Sequence, residues 1–316
     1  MRIVSLLPAA TEWVAAFGAT EALVGRSHAC DFPPRVRSLP AVTRSRVAEG
    51  GDTRAIDDAV RATLAAGLSL YEVDLGALRA LRPDVVLTQA QCAVCAVDLS
   101  GLEALLAGWA GTRPRLFSMA PMTFRAVLQE ALHLARLLDR LPQAMAVLGA
   151  GERRLRRLRD RLGLPREADP ATLPTVACIE WMEPLMTAGH WMPGLVEHAG
   201  GRAVLAGAGK PSPVVDWEAL RATDPDVIAV MPCGFSLEQT RRDLHLLTER
   251  PGWGDLRAVR TGRVVLFDGN AYFNRPGPRL YRAAELLAAA LYPDRIPPDE
   301  LGVAPWEMAP LAHIPT

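Results

Sequence analysis

Lysine is almost missing from this chain of 316 residues: Lys210 stands alone, and arginine supplies the rest of the 35 basic side chains. That bias fits a GC-rich coding sequence and carries no functional message. Net charge is missing too, because 35 acidic side chains balance the basic ones. No overall field therefore draws the chain to nucleic acid, an anionic membrane or a polyanionic substrate. No apolar run approaches the roughly 18 residues of a membrane helix. The opening run Ile3-Val4-Ser5-Leu6-Leu7 stops at Pro8, whereas a signal peptide needs an apolar stretch of roughly 7–15 residues and a small-residue cleavage site. The expected location is the cytoplasm as written, and periplasmic or cell-surface if the start site lies elsewhere.

Catalytic motifs are also lacking. The sequence holds no glycine-rich phosphate loop, no Gly-x-Ser-x-Gly elbow and no paired-histidine metal motif, so a binding protein is expected before an enzyme, with no catalytic cofactor. The five cysteines are an odd number, and Cys92 and Cys95 are too close to staple a secreted domain. Reduced thiols are the expectation.

What is present is a large apolar fraction, half of all residues, beside 22% charged ones, enough to bury two cores. The chain opens strand (Ile3 to Leu7), helix (Thr11 to Phe17, with Gly18 as the stop), strand (Leu23 to Arg26), which is a βαβ unit. Asp74 then caps a helix from Leu75 to Leu81, and Pro83-Asp84 leads into the buried run Val85-Val86-Leu87-Thr88. The phrase returns about 140 residues later: Asp216, a helix from Trp217 to Ala222, Pro225-Asp226, and Val227-Ile228-Ala229-Val230. Between the copies, 123–162 carries apolar residues at helical spacing, with Pro142 set to kink or divide it. The run Arg153-Arg154-Leu155-Arg156-Arg157 reads as a solvated helix face, since no aromatic residues interleave it as a nucleic-acid site would require. The predicted organisation is a first α/β lobe over 1–119, a bridging helix over 120–165, a second α/β lobe over 166–295 and a surface tail over 296–316.

In open α/β sheets ligands bind beyond the carboxyl ends of the strands, which singles out four loops, and a fifth stretch, Gly189 to Pro193, precedes the helix ending at Gly200-Gly201. Ser27 to Phe32 contains His28, Cys30, Asp31 and Phe32. Gln89 to Cys95 contains Gln91, Cys92 and Cys95. The others carry Glu180, Trp181 and Met182, then His190 and Trp191, then Tyr272, Phe273, Asn274 and Arg275. Apolar side chains in loops have no intrinsic need to be there, so Trp181, Trp191, Tyr272 and Phe273 offer surfaces to a large flat ligand, with Gln91, Glu180, Asn274 and Arg275 to orient it. The alternative is that the aromatics plug junctions between the lobes. Cys92-x-x-Cys95 admits three readings: a dithiol redox pair, a metal site joined by His28 and Cys30, or two small thiols shaping a turn. His190 either reaches a ligand or its metal, or caps the helix that follows.

These residues resemble the cobalamin and iron-siderophore substrate-binding proteins of ABC importers over about residues 1 to 292. Ser5-Leu6-Leu7-Pro8-Ala9-Ala10-Thr11-Glu12 is similar to that family's opening strand and helix start. Leu23 to His28, followed by Cys30-Asp31-Phe32-Pro33-Pro34, is similar to its second strand and cleft loop, and Leu81 to Leu87 to its Lys-Pro-Asp-Leu-Val phrase. Gly200-Gly201 and Arg275 through Arg279 resemble its later landmarks. The resemblance implies two similar α/β lobes bridged by a single long helix, as in helical-backbone metal receptors. It implies a corrinoid such as cobalamin held in the cleft between lobes by Phe32, Trp181, Tyr272, Phe273 and Arg275, with another tetrapyrrole or an iron chelate as the alternative. His190, Cys92 and Cys95 are the candidate ligands to the metal. A monomer is expected, and importer docking in this family implies an acidic residue on each lobe: Glu218 holds that place in the second copy of the repeat, Gly76 in the first.

Overall fold

The computed structural model describes residues 1–47, 50–66, 68–90, 97, 99–109, 111–165 and 168–311. The chain forms two compact α/β units, one comprising Met1–Gly51, Ala55–Pro121 and Ala126–Leu148, the other Asp52–Arg54, Met122–Arg125 and Gly149–Thr316.

In the first unit, β1 (Ile3–Ser5), β2 (Leu23–Arg26), β5 (Val85–Gln89) and β6 (Arg115–Met119) make a parallel sheet in the order β2-β1-β5-β6, while β3 (Thr43–Ser45) and β4 (Tyr71–Val73) pair antiparallel beside it. Continuous apolar runs build this sheet because helices cover such strands on both faces. Pro8 is the hinge of the opening: it ends the apolar run yet starts α1 (Pro8–Ala16), where its fixed φ and missing N–H fit the first helical position. Gly18, at φ 72°, turns the chain out of that helix. The remaining helices up to the second unit are α2 (Thr53–Ala65), α3 (Leu75–Ala80), α4 (Leu99–Leu106), α5 (Phe124–Leu137) and α6 (Leu141–Leu162).

The 123–162 stretch is two helices. The α5 helix ends at Leu137, the chain turns through Asp139 at φ 55°, and α6 begins at Leu141. Pro142 divides them because its ring displaces the carbonyl four residues back and it has no amide hydrogen to bond there. The first turns of α6 belong to the first unit, and the helix from Gly149 onward belongs to the second.

In the second unit, β7 (Thr175–Trp181), β10 (Val227–Val230) and β11 (Val264–Phe267) are parallel neighbours. The antiparallel strands β8 (Met186–Thr187) and β12 (Met308–Pro310) pair with β7 and β11 in the order β12-β11-β10-β7-β8, and β9 (Arg202–Ala203) also pairs with β7. Ile179, Ile228, Val230, Leu237, Trp253 and Leu266 form the core on one face. The terminal helix Leu280–Leu291 is buried along most of its length.

The repeated phrase has the same use in both units. Asp74 accepts the Ala77 amide at 2.8 Å and so caps α3, while Asp216 stands at the same place before Trp217–Thr223 without a side-chain bond. Each Pro-Asp aspartate ties the start of a neighbouring parallel strand. Asp84 accepts the Arg2 amide at 2.6 Å beside β1, and Asp226 accepts the amide and hydroxyl of Thr175 at 2.8 and 2.7 Å at the start of β7. Burial pushes the Asp226 carboxyl up, but those bonds and Arg257 together hold it below the usual carboxylate range.

The 296–316 stretch departs from the expected surface tail. Residues Met308–Pro310 add β12 to the sheet edge, Phe267 facing Met308 in register, and Glu307 is 5% exposed. Its short strand between prolines gave no alternating pattern to read. Residues 312–316 lie outside the described residues.

A glycine fixes how α6 meets the terminal helix, since a Cβ on Gly151 would lie inside the Tyr281 ring, whereas one on Gly149 meets only the end of Arg153 at 3.4 Å. Gly151→Ala is expected to lower unfolding free energy in urea by about 1–3 kcal/mol through overpacking. Gly149→Ala, two residues away in the same helix, is expected to be neutral or to gain up to about 1 kcal/mol from helix propensity.

Candidate ligand-binding site

Side chains at the carboxyl ends of β7, β10 and β11 share one edge of the second unit's sheet, and backbone bonds stitch their loops together. Met231 N–H donates to Ile179 O at 2.8 Å and Cys233 N–H to Glu180 O at 3.0 Å, joining the loop after β10 to the end of β7. Asn270 N–H donates to Phe235 O at 3.0 Å, joining the loop after β11. Gly269 makes this closeness possible, because a Cβ there would run into the carbonyls of Met231 and Pro232. With its amide oriented by the hydrogen-bond network, Asn274 donates to Gly269 O at 2.7 Å and Pro232 O at 3.1 Å.

The Gly189-His190-Trp191 loop is the fourth piece. Ala188 N–H donates to Cys178 O in β7 at 2.8 Å, and Trp191 Nε1 donates to Phe273 O at 3.1 Å. His190 N–H donates to Lys210 O at 2.7 Å and His190 O accepts from Gly209 N–H at 3.1 Å. Those bonds hold His190 at φ 51°, a left-handed conformation that a side chain with a Cβ seldom adopts and that costs roughly 1–2 kcal/mol. Its ring is half-buried beside Trp191, 5.8 Å between centroids, and burial lowers its pKa below the usual imidazole value. The ring is therefore neutral at pH 7, with no hydrogen bond to its nitrogens among the described residues, and one nitrogen lone pair is available to a metal or a donor.

The expected site residues sort into two layers. Glu180, Trp181, His190 and Asn274 are partly exposed on this face, Trp181 meeting Phe235 edge-on at 5.6 Å. Beneath them Met182 and Phe273 are 0% exposed, Tyr272 6%, Arg275 7% and Trp191 8%. For Met182 and Phe273 the expectation of direct ligand contact is corrected: Met182 belongs to the hydrophobic core and Phe273 packs on Phe267 at 5.0 Å. Arg275 donates to Asn270 Oδ1 at 2.8 Å and Tyr272 to Glu307 at 2.9 Å, so both brace the loop that carries Asn274. The loop from Met231 to Phe235 was not among those singled out from sequence. It follows a buried strand as the others do, and the same rule would have selected it.

In the first unit the loop after β2 holds His28, with Nδ1 2.8 Å from Thr43 Oγ1 and its ring tilted against Tyr71 at 5.7 Å. Phe32 is 39% exposed, and the Asp31 carbonyl accepts from Arg37 Nε. Cys30 is 0% exposed, with Sγ 3.1 Å from the hydroxyls of Thr11 and Ser27 and 3.6 Å from Ser5 O. Its thiol is thus turned into the unit as a hydrogen-bonded anchor, which corrects its place as a ligand contact or a partner of His28 in a metal set. No cluster of metal-binding type occurs among the described residues, and Gln91, Cys92 and Cys95 lie outside them. A hollow of about 430 Å³ in the second unit, lined by Arg159, Pro193, Glu197 and Arg202 among others, lies away from the stitched face. Arg202 pairs with Thr175 at the amino end of β7.

The family model described as periplasmic binding protein matches residues 3–271. The chain belongs to that family. No curated protein sequence matches it. Among solved structures it is similar to a periplasmic heme-binding protein from Pseudomonas aeruginosa, at 23% identity over 93% of each chain and a TM-score of 0.67. It is also similar to a periplasmic vitamin B12-binding protein of Vibrio cholerae, at 20% identity over 92% of this chain and 96% of that one, TM-score 0.64. A periplasmic heme-binding protein from Roseiflexus shares 22% identity over 93% and 98%, TM-score 0.65. At these identities the similarity is one of fold. No helix among the described residues of this periplasmic binding protein is long and apolar enough to cross a membrane.

Because glycine relieves the left-handed strain at residue 190, His190→Gly is expected to hold or raise the melting temperature, by up to about 1 kcal/mol of stability. His190→Val, β-branched at positive φ, is expected to lower it. Thermal unfolding of the two variants beside the parent distinguishes a strained but dispensable side chain from one that packing requires.

Proposed function

We propose that this periplasmic binding protein is the substrate-binding component of an importer for a metal-centred macrocycle, and that the macrocycle is a corrinoid. The observation that carries the reading is His190: a neutral imidazole, unpartnered among the described residues, held in a strained backbone conformation beside aromatic surface. Strain of this kind persists where the surroundings over-determine it, and it concentrates at functional sites. Trp181 supplies flat apolar contact, Glu180 and Asn274 supply polar groups for the amide arms at a corrin's rim, and the buried Phe273, Trp191 and Arg275 hold those groups in place. The vitamin B12-binding and heme-binding relatives support a flat, metal-centred ligand class. A neutral imidazole serves cobalt and iron alike, so heme is the second reading.

Docking to a membrane partner would use Glu218, which is exposed and paired only at the surface with Arg221 at 3.0 Å. Such a pair contributes little and is easily exchanged for another cation. Gly76 at the matching place in the first copy supplies no carboxylate.

Titration with aquocobalamin, in competition with hemin, tests the reading. Tight binding with a shift of the visible spectrum is expected for the parent, and His190→Gly should bind more weakly and lose the shift. Since burial lowers the pKa of the ring, the shift should survive to more acidic buffer than a free imidazole would allow and then fade as the ring takes its proton. Preference for hemin would transfer the assignment to heme, and absence of binding to both would refute the macrocycle.

A further inference from the structure

The loop 268–275 is held from outside by the C-terminal segment, and one carboxylate does most of the holding. Both oxygens of Glu307 are fully used. Oε1 accepts from Tyr272 OH at 2.9 Å and Arg282 Nε at 3.0 Å, and Oε2 accepts from Arg282 Nη2 and Ala304 N–H, each at 2.7 Å. The backbone carbonyl of the same residue accepts Asp268 N–H at 3.1 Å. Glu307 thus grips the short helix Gly269–Tyr272 at both ends, at Asp268, whose side chain caps it through Ala271 N–H at 2.7 Å, and at Tyr272. Trp306, 56% exposed, stacks over Tyr272 at 6.0 Å from the solvent side, and Arg279 lies 5.7 Å from the same ring.

A carboxylate at 5% exposure is expensive to desolvate. An apolar contact would attach β12 to the sheet at less cost, whereas four directed bonds fix where Tyr272 and Asp268 sit. The position is passed on through the neighbouring Phe273, whose carbonyl receives Trp191 Nε1 next to His190. The matched family region ends at residue 271, so this clamp is supplied by sequence beyond it.

We propose that residues 303–311 act as a strap that sets the geometry of the 268–275 loop for ligand binding, with Glu307 as its positioning residue; this rests on the reading of that loop as part of the ligand face. The strap touches no ligand itself. It tunes affinity through Tyr272, Phe273 and Trp191.

The test compares the parent, Glu307→Ala, Glu307→Gln and the control Asp226→Ala, which cuts an ion-paired network at the amino end of the same sheet. Three quantities are read: melting temperature, affinity for cyanocobalamin, and hydrogen exchange of the Ala271, Tyr272 and Phe273 amides without ligand. Glu307→Ala is expected to speed that exchange and weaken binding about tenfold or more, with Glu307→Gln intermediate because it still accepts from Tyr272. Asp226→Ala should lower the melting temperature while leaving affinity and loop exchange as in the parent. Unchanged loop exchange in Glu307→Ala, or equal affinity losses in Glu307→Ala and Asp226→Ala, overturns the proposal. A parent that fails to bind while Glu307→Ala still loosens the loop removes the ligand reading and leaves the strap supported.

Discussion

The Pro232 and Met231 carbonyls occupy the space that any side chain on residue 269 would need, and the carboxyl-end face of the second unit's sheet depends on that contact. It lets the loop after β11 lie directly on the loop after β10, which in turn bonds to the end of β7. Three parallel strands thereby deliver their loops to one surface, held to each other by backbone hydrogen bonds. His190, Trp181 and Asn274 occupy fixed places on that surface because the buried residues below them are locked by packing and directed bonds. If these groups bind the proposed ligand, such a rigid scaffold avoids the ordering cost that flexible loops incur on binding.

The sequence made the strands legible and the edges obscure. Leu23 to Arg26 and Val227 to Val230 have the predicted bounds, because short apolar runs between turn residues admit few other structures. The repeated Pro-Asp phrase proved informative beyond its strands, since one aspartate ties the residue just before a neighbouring strand and the other the first residue of one. The tail was opaque for a physical reason: Met308–Pro310 is a strand only because β11 offers an edge, and nothing local in a proline-rich stretch announces a partner so distant in sequence.

The site was half legible. Loop aromatics mark the carboxyl ends of strands, but composition cannot tell an aromatic that is exposed there from one that supports the loop. Trp181 stays partly exposed, whereas Phe273 and Trp191 turn inward. Cys30 shows the same limit, since a thiol after a strand reads as a ligand until Thr11 and Ser27 are seen to claim it. The left-handed backbone of His190 depends on its bonds to Gly209 and Lys210, a pairing that residue identities do not encode locally.

The most direct test of the ligand face is a map of amide exchange in the parent protein with and without saturating cyanocobalamin. Added protection is expected in the second unit, concentrated at 180–183, 189–191, 231–236 and 268–275. Protection centred instead on the hollow beside Arg159 and Arg202, or no change at those four loops, would contradict that placement.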